Sequence, residues 1–116
     1  MKVLRLLLLL TVAAPITVPI AAYANDFPTS DRVEYVLECM KNHAGKYEYL
    51  YKCSCAVENI ATQLKYEEYV ELSVALRSQT MGGERGAEFR DPEMVKAMAK
   101  KYKTIQTAAN AACFVQ

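Results

Sequence analysis

Beyond residue 25 the chain repeats its apolar positions every three or four residues and shows no sustained alternation. That is the period of helices, not strands. A first helix is predicted to start in "TSDRVEY", where Ser30 or Asp31 can cap the free N–H groups. Val33, Val36, Leu37, Met40 and Ala44 form its apolar stripe, and Gly45, free to take positive φ, ends it. A second covers about 46–64, with Tyr47, Leu50, Cys53, Val57, Ile60, Ala61 and Leu64 along one face. A third covers about 66–78, carrying Tyr69, Val70, Leu72, Val74 and Leu76. No strong breaker separates it from the second, so one helix bent near Lys65 is the alternative.

"MGGERGAEFRD" (81–91) has three glycines in five residues and reads as a flexible connection. The last helix has the clearest start: Asp91 at the N-cap, Pro92 at the first position and Glu93 in the first turn. Val95, Met98, Tyr102, Ile105, Ala109 and Ala112 then recur near heptad spacing. The expected fold is all-α, a small four-helix bundle.

The N-terminus changes the compartment. Lys2 and Arg5 precede an apolar run from Leu6 to Ile20, and Ala22-Tyr23-Ala24 is a small-x-small cleavage site. This pattern is a secretory signal peptide, residues 1–24, leaving a single domain over 25–116. No second long apolar run exists, so no membrane association is expected after cleavage. A bacterial periplasm is the expected location. Without Lys2 and Arg5, 12 basic residues face 13 acidic ones. A net charge near −1 leaves no footprint for nucleic acid.

Cys39, Cys53, Cys55 and Cys113 all follow the cleavage site. An even count in a small exported chain reads as two disulfides. Cys53 and Cys55 stand one residue apart, and a helix turns about 100° per residue, so their sulfurs point about 200° apart. They suit two different neighbours better than each other. Hairpin registry of the first two helices sets Cys39 opposite the pair, and Cys113 takes the remaining thiol. Cys39–Cys53 with Cys55–Cys113 is preferred on register; Cys39–Cys55 with Cys53–Cys113 stays open because Cys53 faces inward.

Other chemistries lack their sets. Haem attachment needs Cys-x-x-Cys-His, and thioredoxin-like redox work needs Cys-x-x-Cys in a βαβ context. The glycine loop lacks the preceding strand and the Lys-Ser/Thr of a phosphate loop. His43, the single histidine, suits a helix C-terminus and has no catalytic partner in view. Glu67, Glu68 and Glu71 read as a solvated face. No cofactor, metal or enzymatic activity is expected. The alternative is a soft-metal carrier for copper(I), with Met40, His43, Cys53 and Cys55 as ligands and Met81, Met94 or Met98 nearby. It requires free thiols.

Seven tyrosines follow residue 24, and Tyr47, Tyr49 and Tyr51 crowd one stretch of helix, so not all can be buried. Tyrosine is common at protein interfaces. Lys96, Lys100 and Lys103, with Arg85 and Arg90, could form a basic patch for an acidic partner. Tyr49, Tyr51, Met81, Gly82, Gly83 and Arg85 are the candidate partner-binding residues.

"ECMKNHAGKYEYLYKCSC" together with "MGGERG" resembles small four-cysteine exported proteins that accompany quinoprotein alcohol dehydrogenases and c-type cytochromes in bacteria. The resemblance implies an accessory role beside such a dehydrogenase or cytochrome, with no site residues to carry over. Small periplasmic acid-stress chaperones are similar in size, helicity and export but have one disulfide. The expectation is a non-enzymatic periplasmic module that binds or assists another protein.

Overall fold

The computed structural model describes residues 26–116; the predicted signal peptide lies outside them. The described residues form five helices and no strand: α1 (Thr29–Asn42), α2 (Glu48–Gln63), α3 (Tyr66–Ser78), α4 (Gly83–Arg90) and α5 (Glu93–Ala112). The all-α expectation holds. The long α5 packs against both α2 and α3, while α1 packs on α2.

Local chemistry explains most boundaries, sometimes differently from expectation. Helix α1 starts before Ser30, with Pro28 at its N-cap. Asp31 sits in the first turn, and its carboxylate accepts the Tyr66 hydroxyl instead of capping. The break between α2 and α3 is real: Leu64 and Lys65 are both extended, with ψ of 143° and 154°. The first free N–H of α3 is met from outside, since Tyr66 N donates to both Asp26 carboxylate oxygens at 3.2 Å. Phe27, next in sequence, is buried between the rings of Tyr66 and Tyr69.

Two helices end alike. At α1, Gly45 N donates to Met40 O (2.8 Å) and Ala44 N to Lys41 O (3.3 Å). At α5, Val115 N donates to Asn110 O (2.9 Å) and Phe114 N to Ala111 O (3.4 Å). Both are Schellman ends, which place the residue after the cap in the left-handed region and favour glycine there. Here those residues are Ala44 and Phe114, each at φ 58°. Gly45 is also left-handed, but it comes one residue after the position that stops the helix.

The glycine-rich stretch is not a plain connection: eight of its residues are α4. Gly83 and Gly86 lie within α4 and disfavour a helix by up to about 1 kcal/mol each, yet tertiary contacts override that. Gly86 is buried, and a Cβ there would stand 3.0 Å from Met81 O. Arg90 donates to Met81 O (2.7 Å), and Gln79 Nε2 to Arg90 O (3.1 Å), closing the segment on itself. Asp91 consequently does not cap α5. It ends α4, and its carboxylate is taken by Arg90 at 2.8 Å.

The core consists of Val36, Cys53, Ala56, Val57, Ile60, Leu64, Leu72, Ala109 and Val115 with the aromatics Phe27, Tyr35, Tyr69 and Tyr102. The α1 face is rotated from the expected stripe. Tyr35 and Val36 are buried, while Val33 and Leu37 remain outside over an apolar groove of about 310 Å³ shared with Leu50 and Val57. Val70 and Val74 of α3 and Tyr47, the N-cap of α2, are likewise exposed.

Candidate functional site

The cysteines form Cys39–Cys53 and Cys55–Cys113, with Cα atoms 6.0 and 5.7 Å apart. Each bridge uses one side of α2, as the helical offset between Cys53 and Cys55 requires. Cys53 is fully buried and joins α2 to α1, while Cys55 lies at the surface and reaches Cys113 just past α5. No free cysteine remains among the described residues. The four sulfurs are thereby occupied, so the thiolates that the copper alternative needs are not free. Among the described residues no three His, Cys, Asp or Glu side chains converge as a metal site.

The second bridge organises one end of the molecule. Tyr47, Tyr51 and Cys55 recur at intervals of four, so they share one stripe of α2. The Tyr47 and Tyr51 rings meet edge to face at 5.7 Å with hydroxyls 3.2 Å apart, and the two residues are 69% and 65% exposed. Cys113 is followed at once by Phe114, which is 72% exposed. Tyr47, Tyr51 and Phe114 are therefore all exposed, the first two on the stripe that carries Cys55 and the third next in sequence to its partner Cys113. Phe114 combines two unfavourable features, a left-handed backbone on a bulky residue and an exposed apolar ring.

Tyr49, between the two exposed tyrosines, has a different role. Its ring stacks on His43 at 4.1 Å, Lys52 Nζ lies 4.7 Å above the ring, and its hydroxyl donates to Gln116 O at 3.1 Å. It clamps Gln116 to the α1–α2 turn. His43 is the C-cap of α1, the helix-end position expected for it.

Met81, Gly82, Gly83 and Arg85 lie together at the start of α4, all exposed. Gly83 is left-handed, at φ 75°. The one buried residue of α4 is Gly86, while its only large apolar side chain, Phe89, points to water. Met81, Phe89 and Met94 are all exposed along this stretch. The structure does not join this group to Tyr49 and Tyr51 by any contact. The expected basic patch is partly neutralised, because Arg90 pairs with Asp91 and Lys96 with Glu93 at 3.0 Å. Arg90 holds the Asp91 carboxyl below its usual range through their hydrogen bond.

A cleft of about 560 Å³ is lined by α1, α3 and α5. Tyr35, Tyr69 and Tyr102 form its aromatic wall, with the Tyr69 and Tyr102 rings 5.9 Å apart. Burial, first of all, pushes all three phenols above their ordinary range, Tyr102 most. Gln106 hydrogen-bonds the Tyr35 hydroxyl, and Glu38 and Arg77 pair at 3.4 Å between α1 and α3.

Phe114 and Phe89 were not among the sequence candidates. "NAACFVQ" contained the clue for Phe114: a helix ending without any glycine to take the left-handed position. No protein family model, curated protein or solved structure matches the chain.

Proposed function

We propose that this is a non-enzymatic periplasmic module, freed by cleavage of residues 1–24, that docks on and assists another periplasmic protein. In this reading α1, α2, α3 and α5 are a four-helix frame stapled by two disulfides, and α4 is an appendage to it. The observation that carries the proposal is Phe114. An L-residue in the left-handed region costs about 1–2 kcal/mol, and an exposed phenyl ring returns little of that inside the chain. Tyr47 and Tyr51 extend the same end, and exposed aromatic clusters are characteristic of protein interfaces. Met81, Gly82, Gly83 and Arg85, with Phe89, form a second docking surface on α4. Tyr49 supports the first surface by holding Gln116 through its hydroxyl. The sequence resemblance makes a quinoprotein dehydrogenase or a c-type cytochrome the partner to look for.

The test is affinity purification from the native periplasm with mass spectrometry, comparing wild type with Tyr51→Ser/Phe114→Gly. Both sites are exposed, so the helical circular dichroism and melting temperature should be retained. A partner present with wild type and depleted at least tenfold with the variant supports the proposal. Equal recovery by both chains rejects this surface.

A further inference from the structure

The cleft between α1, α3 and α5 falls outside the docking surfaces, and its polarity is unusual for a space between helices. Its volume of about 560 Å³ lies within the roughly 300–1,000 Å³ typical of small-molecule sites. Tyr102, Lys103 and Gln106 share one face of α5, at spacings of three and four, where a core stripe would ordinarily be apolar. Arg77 reaches the cleft from α3, and Glu38 from α1. The lining therefore holds two cations, both on exposed side chains, against one carboxylate, and Lys103 makes no ion pair among the described residues. Arg77 is held by Glu38 through a single long contact of 3.4 Å, leaving most of its donor fork available. Gln106 adds an amide donor, and the tyrosine rings supply an apolar floor.

We propose that this cleft binds a small polycarboxylate, with carboxylate oxygens on Arg77 and Lys103 and the carbon skeleton over the tyrosine wall. A donor-rich, cation-rich lining fits an acceptor-rich anion. The guanidinium fork favours the planar carboxylate, which it can hold through two parallel hydrogen bonds.

The experiment titrates the exported chain, disulfides intact, with citrate, inorganic phosphate and glucose in turn, at about 150 mM salt so that loose surface charge pairing is screened. Nuclear magnetic resonance follows the Gln106 side-chain amide and the Arg77 Nε–H. The proposal expects saturable shifts with citrate and none with glucose. It expects at least a tenfold loss of citrate affinity in Arg77→Gln/Lys103→Gln, and no change in Lys96→Gln, which lies outside the cleft. Gln106→Glu, adding a like charge at the site, should abolish binding while the fold remains. Non-saturable shifts, equal affinity in the double variant, or phosphate binding as tight as citrate would overturn it.

Discussion

The two Schellman ends whose first left-handed residue is not glycine permit a paired test of whether Phe114 is held for the chain or for something outside it. At Ala44 the substitution Ala44→Gly removes a Cβ from a left-handed residue, and nothing else is lost because the site is exposed. Relief of about 1–2 kcal/mol is offset by about 0.5–1 kcal/mol for glycine's greater freedom in the unfolded chain. The net expectation is a gain of about 0.5–1 kcal/mol, or about 2–8 °C in melting temperature for a domain of this size. Phe114 shares the same φ, so Phe114→Gly carries the same gain minus whatever its ring contributes by packing. At 72% exposure that contribution is about a quarter of full burial, or about 0.5 kcal/mol. Phe114→Gly should therefore leave stability unchanged or slightly raised. Thermal and urea melts of the two variants beside wild type supply the comparison. A loss above about 1 kcal/mol in Phe114→Gly, with Ala44→Gly stabilised, would refute the reasoning, because the ring would then be anchoring the fold.

Three further predictions rest on the frame. Cys55→Ser/Cys113→Ser opens a loop with a sequence separation of 58 and should cost about 4 kcal/mol by chain entropy, measured by urea denaturation; wild type treated with limiting reductant should lose this bridge, whose Cys55 is exposed, before Cys39–Cys53, whose Cys53 is fully buried, read by mass spectrometry of alkylated peptides. Tyr35, Tyr69 and Tyr102 have raised folded values, so their contribution is complete below the unfolded value of about 10 and is lost as pH rises above it. Tyrosinate absorbance should show these three appearing together with unfolding, and their ionisation while the helical signal persists would contradict their burial. Gly86→Ala places a Cβ 3.0 Å from Met81 O and should loosen α4, seen as faster amide exchange across Gly83–Arg90 with α5 protected.

Helical class, the two central helices and the cysteine pairing were legible because they depend on period and on short-range geometry. The one-residue spacing of Cys53 and Cys55 alone implies two directions, and registry then favoured Cys39 for Cys53. What was hidden depended on distant partners. Nothing near Tyr66 announces that Asp26, 40 residues earlier, serves the start of α3. Asp91 has the composition of a cap, but Arg90 takes its carboxylate. The glycines of "MGGERG" mark flexibility by propensity, whereas Gly86 is there because Met81 approaches too closely for a side chain. Spacing placed Val33 and Leu37 beside Val36 in a core stripe, but α1 buries Val36 with Tyr35 and leaves Val33 and Leu37 outside. The candidate site was half visible: Tyr51 and Met81 are exposed as expected, while Tyr49 is engaged with His43 and Gln116.

The exposed aromatics Tyr51 and Phe114 beside Cys55–Cys113 are proposed to contact another protein in the periplasm. Site-specific photocrosslinking in living cells tests it directly, with a benzophenone amino acid in place of Tyr51, of Phe114, or of the exposed Glu71 on α3 as reference. One discrete higher-mass adduct is expected from the Tyr51 and Phe114 positions and none from Glu71. Adducts absent at both aromatic positions, or equal at all three, would contradict it.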